Sequence, residues 1–284
     1  MELKGKVALV TGATSGIGAA TAEAMAAKGA ELFIICRSAE KGRALLDAIR
    51  RNTGNEQLSM IVADLSVQAD IRRAAAEFLD TGKPLHLLIN NAGVIYTERK
   101  ISADGLEETF AVNHLGYFLL TELLRDRIVD SAPARIVSVA SGAHAFCKQI
   151  YFDDLNFENR PYKTFEVYGH SKLANILWNR ELSRQLEGTG VTANCVHPGA
   201  VASGLGKQNG MLGKVITGLV SPFFQSPAKG ASTSIYLATS PAVEGVTGKY
   251  FAKCAELQPK PWAEDDAAAK RLWDVSRELV GMAG

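Results

Sequence analysis

The sequence is short of cysteine, of clustered positive charge and of long apolar runs, and each shortage closes off a class of protein. Four cysteines occur in 284 residues: Cys36, Cys147, Cys195 and Cys254. No two stand at a CxxC spacing, and histidine and cysteine never fall at metal-ligand spacing, so neither a zinc site nor a redox motif is expected. Reduced thiols in a cytoplasmic protein are the expectation instead. The formal net charge is +1. Lysine and arginine form no stripe, which argues against nucleic acid as a partner. No apolar run approaches the roughly 20 residues of a membrane span. Residues 1–6 are polar and run straight into the first apolar segment, so neither a signal peptide nor an anchor helix is expected there. Internal repeats, low-complexity runs and domain linkers are also missing.

Apolar residues make up 47% of the chain, enough for a sizeable core. A rule of roughly 150 residues per domain would divide the chain in two. The pattern argues for one domain over 1–284. Short β-rich runs at 7–10, 32–36, 58–62, 85–89, 135–139, 191–196 and 248–251 alternate with amphipathic stretches. Helices are predicted at 17–28, 39–51, 105–130, 164–187 and 264–279. That alternation predicts an α/β fold, a Rossmann-type doubly wound parallel sheet with helices on both faces. Ligands of such sheets bind beyond the C-terminal ends of the strands. Two stretches break the rhythm. Residues 142–163, rich in aromatic and acidic side chains, read as an insertion. Residues 203–226, glycine-rich with an apolar run at 211–216, read as a substrate lid, with a membrane-surface helix as the alternative.

The first strand ends in Thr11-Gly12-Ala13-Thr14-Ser15-Gly16-Ile17-Gly18, and a helix follows. Glycines permit a tight turn and close approach of backbone to a pyrophosphate. The helix N-terminus adds free N–H groups and partial positive charge. Dinucleotide-binding folds often carry an acid about 20 residues later, on the ribose hydroxyls. Here the second strand ends in Cys36-Arg37-Ser38. An acid would repel a 2′-phosphate, whereas Arg37 pairs with one, assisted by Ser38 and Lys41. NADP(H) is therefore expected over NAD(H). Further on, Tyr168-Gly169-His170-Ser171-Lys172 puts Tyr168 and Lys172 on one helix face at i and i+4. A free tyrosine has a pKa of about 10 and is a poor acid–base catalyst near neutrality, but a nearby ammonium favours the phenolate.

With these motifs go Asp64-Leu65, Asn90-Asn91-Ala92-Gly93, Asn113, Ser141 and Pro198-Gly199. Together and in this order, they resemble the short-chain dehydrogenase/reductase family over nearly the whole chain. Cys36-Arg37, Ser141-Gly142-Ala143-His144, His170-Ser171-Lys172-Leu173-Ala174-Asn175 and His197-Pro198-Gly199 are similar to retinol-dehydrogenase-like members. The resemblance implies a role for each position. Tyr168 is the general acid in reduction and the base in oxidation. Ser141 hydrogen-bonds the substrate oxygen, and Lys172 holds the nicotinamide ribose and lowers the pKa of Tyr168. Asn113 holds a water that continues the proton relay. Asp64 faces the adenine edge with Leu65 beside it, and Asn91, Ala92 and Gly93 line the cofactor. Pro198 and Gly199 guide the chain past the nicotinamide, Val201 contacts its carboxamide, and Ser203 keeps a hydroxyl where many members have threonine.

Ser138 rivals Ser141 for the serine role. Ser141 is preferred because it follows its strand, whereas Ser138 should lie inside one. His144 and His170 read as packing residues, and His197 as the shaper of the turn before Pro198. The expected reaction is hydride transfer between NADP(H) and a small apolar alcohol, aldehyde or ketone, with Leu219, Phe223 and Phe224 suggesting an apolar pocket wall. Steroid, sugar or protochlorophyllide-like substrates are the alternatives within the family. A non-catalytic NADP-binding sensor is the alternative outside catalysis. Monomer and homodimer both remain open, since family members often associate through the helices that carry Asn113 and Tyr168.

Overall fold

Strand β1 (Val7–Thr11) is a run of five residues buried on both faces, which only an interior position in a covered sheet allows. The computed structural model describes residues 2–201 and 225–282. In it, β1 pairs in parallel with β2 (Glu31–Cys36) on one side and with β4 (Leu87–Asn90) on the other. Beyond β2 lies β3 (Leu58–Val62). Beyond β4 follow β5 (Ala134–Val139), β6 (Val191–His197), β7 (Tyr250–Ala252) and a two-residue antiparallel edge, β8 (Ala255–Glu256). The order β3-β2-β1-β4-β5-β6-β7-β8 reverses direction at β1 and β4. A crevice opens at such a reversal, beyond the carboxyl ends of the strands.

Alternate residues of β1 feed two cores, Val7 and Leu9 one, Ala8 and Val10 the other. Helices α1 (Gly16–Ala27) and α2 (Ala39–Thr53) cover the second, through residues such as Met25 and Ile49. The first is covered by α3 (Gln68–Asp80), by α5 (Gly116–Asp130) and by α6 (Thr164–Gln185). A short α4 (Glu108–Phe110) leads into α5 through a π-helical turn, Ala111–Leu115. Helix α7 (Pro227–Thr239) joins the second core, and α8 (Asp266–Leu279) the first.

Helix α8 lies against α5 and α6. Trp273 meets Phe118 edge-on at 5.2 Å, Ser276 Oγ bonds His114 Nε2 at 2.9 Å, and Asp266 pairs with Arg180 at 2.8 Å and also with Arg184. The sequence periods 7–10, 32–36, 58–62, 135–139 and 191–196 thus fall on strands whose ends differ by a residue or so. The expected 264–279 helix begins at Asp266, where Asp265 accepts the N–H of Ala268 as its cap. Of residues 203–226, only Gln225 and Ser226 are among the described ones. The lid and Ser203 lie outside them.

Residues 147–163 are packed rather than loose. The Asp154 carboxylate accepts the N–H groups of Glu158 (2.7 Å) and Asn159 (3.1 Å) and the Nε of Arg160 (2.9 Å). Arg160 stacks over the Tyr151 ring at 3.8 Å, and Tyr151 in turn stacks on His170 at 5.4 Å. Tyr162 donates to Glu107 Oε1 at 3.0 Å, and Glu107 caps α4 by accepting from Thr109 and Phe110.

Candidate active site

Thr11, Asn91 and two glycines build the turn after β1. Thr11 Oγ1 accepts the N–H groups of Asn91 (2.9 Å) and Ala92 (3.1 Å), tying β1 to the chain after β4. Asn91 Nδ2 donates back to the Thr11 carbonyl at 2.9 Å and the Gly12 carbonyl at 3.2 Å. A Cβ on Gly12 would fall 2.6 Å from the Ala92 Cα, and one on Gly18 would fall 2.4 Å from Asn91 Nδ2. Both positions therefore require glycine. Gly16 has φ +57 and turns the chain into α1. The first turn of α1 holds no acid, and the Ser15 side chain does not cap it, so its N–H groups face the crevice with their partial positive charge uncompensated.

That crevice is a cleft of about 730 Å³, and it runs from the ends of β2 and β3 to the end of β6. Arg37, Ser38 and Lys41 stand at one end, with Asp64 and Leu65 beside them. Arg37 is exposed and 3.9 Å from the Asp64 carboxylate, a pair too open to water to immobilise the guanidinium. Ser38 Oγ accepts the Lys41 N–H and caps α2. Thr14, Ser15, Ile17, Ala92 and Gly93 line the middle. Ser141, Tyr168, Lys172, Pro198, Gly199 and Val201 line the other end. Ser138 lies inside β5, fully buried, with its Oγ unpartnered.

Lys172 is almost fully buried and donates to the Val139 carbonyl at 2.9 Å. Its Nζ lies 5.6 Å from the Tyr117 ring and 5.7 Å from the Tyr168 ring, between two aromatic faces. Tyr117 also donates to the Ala92 carbonyl at 2.5 Å. Burial draws the Lys172 pKa down to about 7. Burial pushes Tyr168 up to about 12, and a hydrogen bond with Ser141 offsets this in part. In the protein alone it is Ser141, and not Lys172, that lowers the tyrosine; the resemblance implied that the lysine would do so.

Asn113 sits in the π-helical turn, outside the cleft lining. Its Oδ1 accepts the Val94 N–H at 2.8 Å, and its Nδ2 donates to the Val94 carbonyl at 2.9 Å and to Ser171 Oγ at 3.0 Å. One buried amide therefore ties the chain after β4 to α6. π-Turns of this kind recur at functional sites.

Two imidazoles hold the Ser141 turn. Ser141 opens a 3-10 turn, Gly142–Phe146, and its Oγ accepts the Ala143 N–H at 3.1 Å. His144 Nε2 accepts the Lys260 N–H at 3.2 Å, so its proton is on Nδ1, which donates to the Ser141 carbonyl at 2.7 Å. His197 Nδ1 accepts the Gly142 N–H at 3.0 Å. Burial lowers the pKa of both rings and keeps them neutral. His170 accepts the Tyr151 N–H at 3.1 Å and is wholly buried. Sequence reasoning gave Thr11 no role beyond its place in the glycine motif, and missed Tyr117, Phe146 and Phe165. Thr11 and Tyr117 act through backbone atoms distant in sequence, and the two phenylalanines look like core residues until their exposure is known.

A sequence model described as short chain dehydrogenase matches residues 6–152. Retinol dehydrogenase 12 of Homo sapiens is 45% identical over 282 residues, covering 99% of this chain and 88% of that protein. Among solved structures, an uncharacterised protein from Mycobacterium Paratuberculosis superposes with a TM-score of 0.78 at 28% identity, covering 99% of this chain and 96% of the other. A short chain dehydrogenase from Burkholderia cenocepacia J2315, crystallised with NADP, superposes at 0.69 and 26% identity, covering 89% and 97%. Fold, cleft and relatives agree: the chain belongs to the short-chain dehydrogenase/reductase family, as a retinol-dehydrogenase-like oxidoreductase of CH–OH groups.

Proposed function

We propose that the protein interconverts a hydrophobic alcohol and its aldehyde or ketone with NADP(H), using Tyr168 as acid and base. The observation that carries this reading is the convergence of Ser141, Tyr168 and Lys172 at one end of a cleft whose other end presents Arg37, Ser38 and Lys41. The cleft suits a dinucleotide, because the glycine turn leaves backbone and helix N–H groups open to a pyrophosphate. Arg37 and Lys41 favour a 2′-phosphate, and the Burkholderia relative was crystallised with NADP. When bound, the nicotinamide supplies or accepts the hydride.

The remaining work falls to this chain's own groups. Ser141 Oγ, already accepting from Ala143, directs its hydroxyl proton at the substrate oxygen and stabilises charge there. Tyr168 keeps its proton at neutral pH and delivers it to that oxygen in reduction. In oxidation Tyr168 takes the proton back, aided by positive charge at Lys172 Nζ. Asn113 fixes the spacing between Val94 and α6, and so the depth at which Lys172 sits. The retinol dehydrogenase relatives suggest retinaldehyde as one compound to try. Four unpaired thiols suit a reducing compartment, and we place the protein in the cytoplasm.

The test follows consumption of NADPH, and separately of NADH, against apolar aldehydes and ketones. Turnover with NADPH in preference to NADH is expected. Tyr168→Phe should lose on the order of 10³-fold in kcat while still binding NADPH. Cofactor binding without turnover on any compound, or a Tyr168→Phe variant that works normally, would refute the mechanism.

A further inference from the structure

Among the described residues, the two most exposed large apolar side chains are Phe146 and Phe165, at 61% and 65%. They come from different segments, yet they touch edge to face with ring centroids 6.1 Å apart. Both line the cleft that holds Ser141 and Tyr168. Chain geometry couples each to a catalytic-end residue. Phe146 closes the 3-10 turn that Ser141 opens, and Phe165 lies on α6 one turn before Tyr168, on the same side of the helix. Gly169 sets the distance between the two segments. A Cβ there would fall 2.5 Å from the Ala143 carbonyl oxygen and 3.3 Å from the Phe146 Cβ, so α6 and the turn meet at backbone contact. Two paired aromatic rings left in water gain nothing for the folded chain, and contiguous exposed apolar surface of this kind marks a binding site.

We propose that Phe146 and Phe165 form an aromatic jaw at the mouth of the cleft, which grips the apolar chain of the substrate beyond its reacting carbon and selects long substrates over short ones. This rests on the reading that Ser141 and Tyr168 hold the carbonyl. The cleft is continuous from those two groups to the jaw, so the occupant is whatever the reacting carbon carries. The open faces of two phenylalanines accept hydrocarbon and disfavour an anion.

The test compares kcat/KM with NADPH for straight-chain aldehydes from butanal to dodecanal, in wild type, Phe146→Ala, Phe165→Ala, the double alanine variant and Phe165→Leu. In wild type kcat/KM should climb with chain length. In the double variant the loss should grow with length, reaching about ten-fold on dodecanal, and Phe165→Leu should retain most of the preference. Unchanged thermal melts would show that these exposed positions leave folding intact. A double variant with the wild-type length dependence overturns the proposal. So does one that keeps this dependence but loses self-association or vesicle binding, because the jaw would then serve another occupant. Binding of 1-dodecanol to the NADPH-loaded protein, followed by calorimetry, separates the two readings. If no aldehyde is turned over but the double variant binds dodecanol about ten-fold more weakly, the jaw stands and the catalytic reading fails. Equal dodecanol binding by both proteins overturns the jaw whatever the turnover.

Discussion

Lys172 is an amine kept from water at the centre of the molecule, and its pKa of about 7 is a statement about stability as well as chemistry. In an unfolded chain, a lysine titrates near 10.4. Between those values the unfolded chain holds the extra proton, so the folded state gains stability as pH rises from about 7 to about 10. Below about 7 both states are protonated, and the folded protein carries the full penalty of a buried ammonium. Lys172→Met removes the penalty, while Asn175 Nδ2 still faces the Val139 carbonyl at 3.4 Å. The variant should therefore melt roughly 4 °C above wild type near about pH 6, with the gap closing toward about pH 10. A gap that stays constant with pH would show that Lys172 is not held as described. A residue that we propose works beside the reacting bond is thus one that weakens the fold.

At the level of elements, the approach of the Gly142–Phe146 turn to α6 matters most. Gly169→Ala would drive a methyl group into the Ala143 carbonyl, and the turn carrying Ser141 would have to move away from Tyr168. A fall in kcat of about 10²-fold is expected, with NADPH affinity near that of wild type, because the nucleotide end of the cleft lies on other elements. Loss of both together in kinetic and equilibrium measurements would contradict that separation. Elements also show what a sequence can reveal. The strand at 58–62 and the helix start at Ala39 follow from period and apolar runs, which are local signals. The four residues proposed for catalysis, Asn113, Ser141, Tyr168 and Lys172, are legible as motifs. The π-turn around Asn113 is not, because it answers a tertiary demand: one amide must reach both Val94 and Ser171. Strand β8 is two residues long, too short for any alternation, and follows Lys253 and Cys254, both at positive φ. The bracing of Ser141 by His144 and His197 depends on Lys260 and on a 3-10 turn, so the sequence shows His144 only as a packing residue and His197 only as the shaper of the turn before Pro198.

Across the whole molecule, α8 decides which surface is available for assembly. It occupies the face of α5 and α6 through Trp273, Ser276 and Asp266, the helices that many relatives were expected to use for association. A monomer at micromolar concentration is therefore expected by size-exclusion chromatography with light scattering. A stable dimer would show that a different face is used. The segment just before α8 reaches further still. Lys260 donates to His144, and Trp262 donates to the His144 carbonyl at 3.3 Å, so the turn bearing Ser141 is pinned by residues more than a hundred positions later. During synthesis, every described residue facing the nucleotide, and Ser141, Tyr168 and Lys172 as well, leave the ribosome before these two pins exist. The brace on the Ser141 turn thus waits for Lys260 and Trp262, made well after every described residue that lines the cleft.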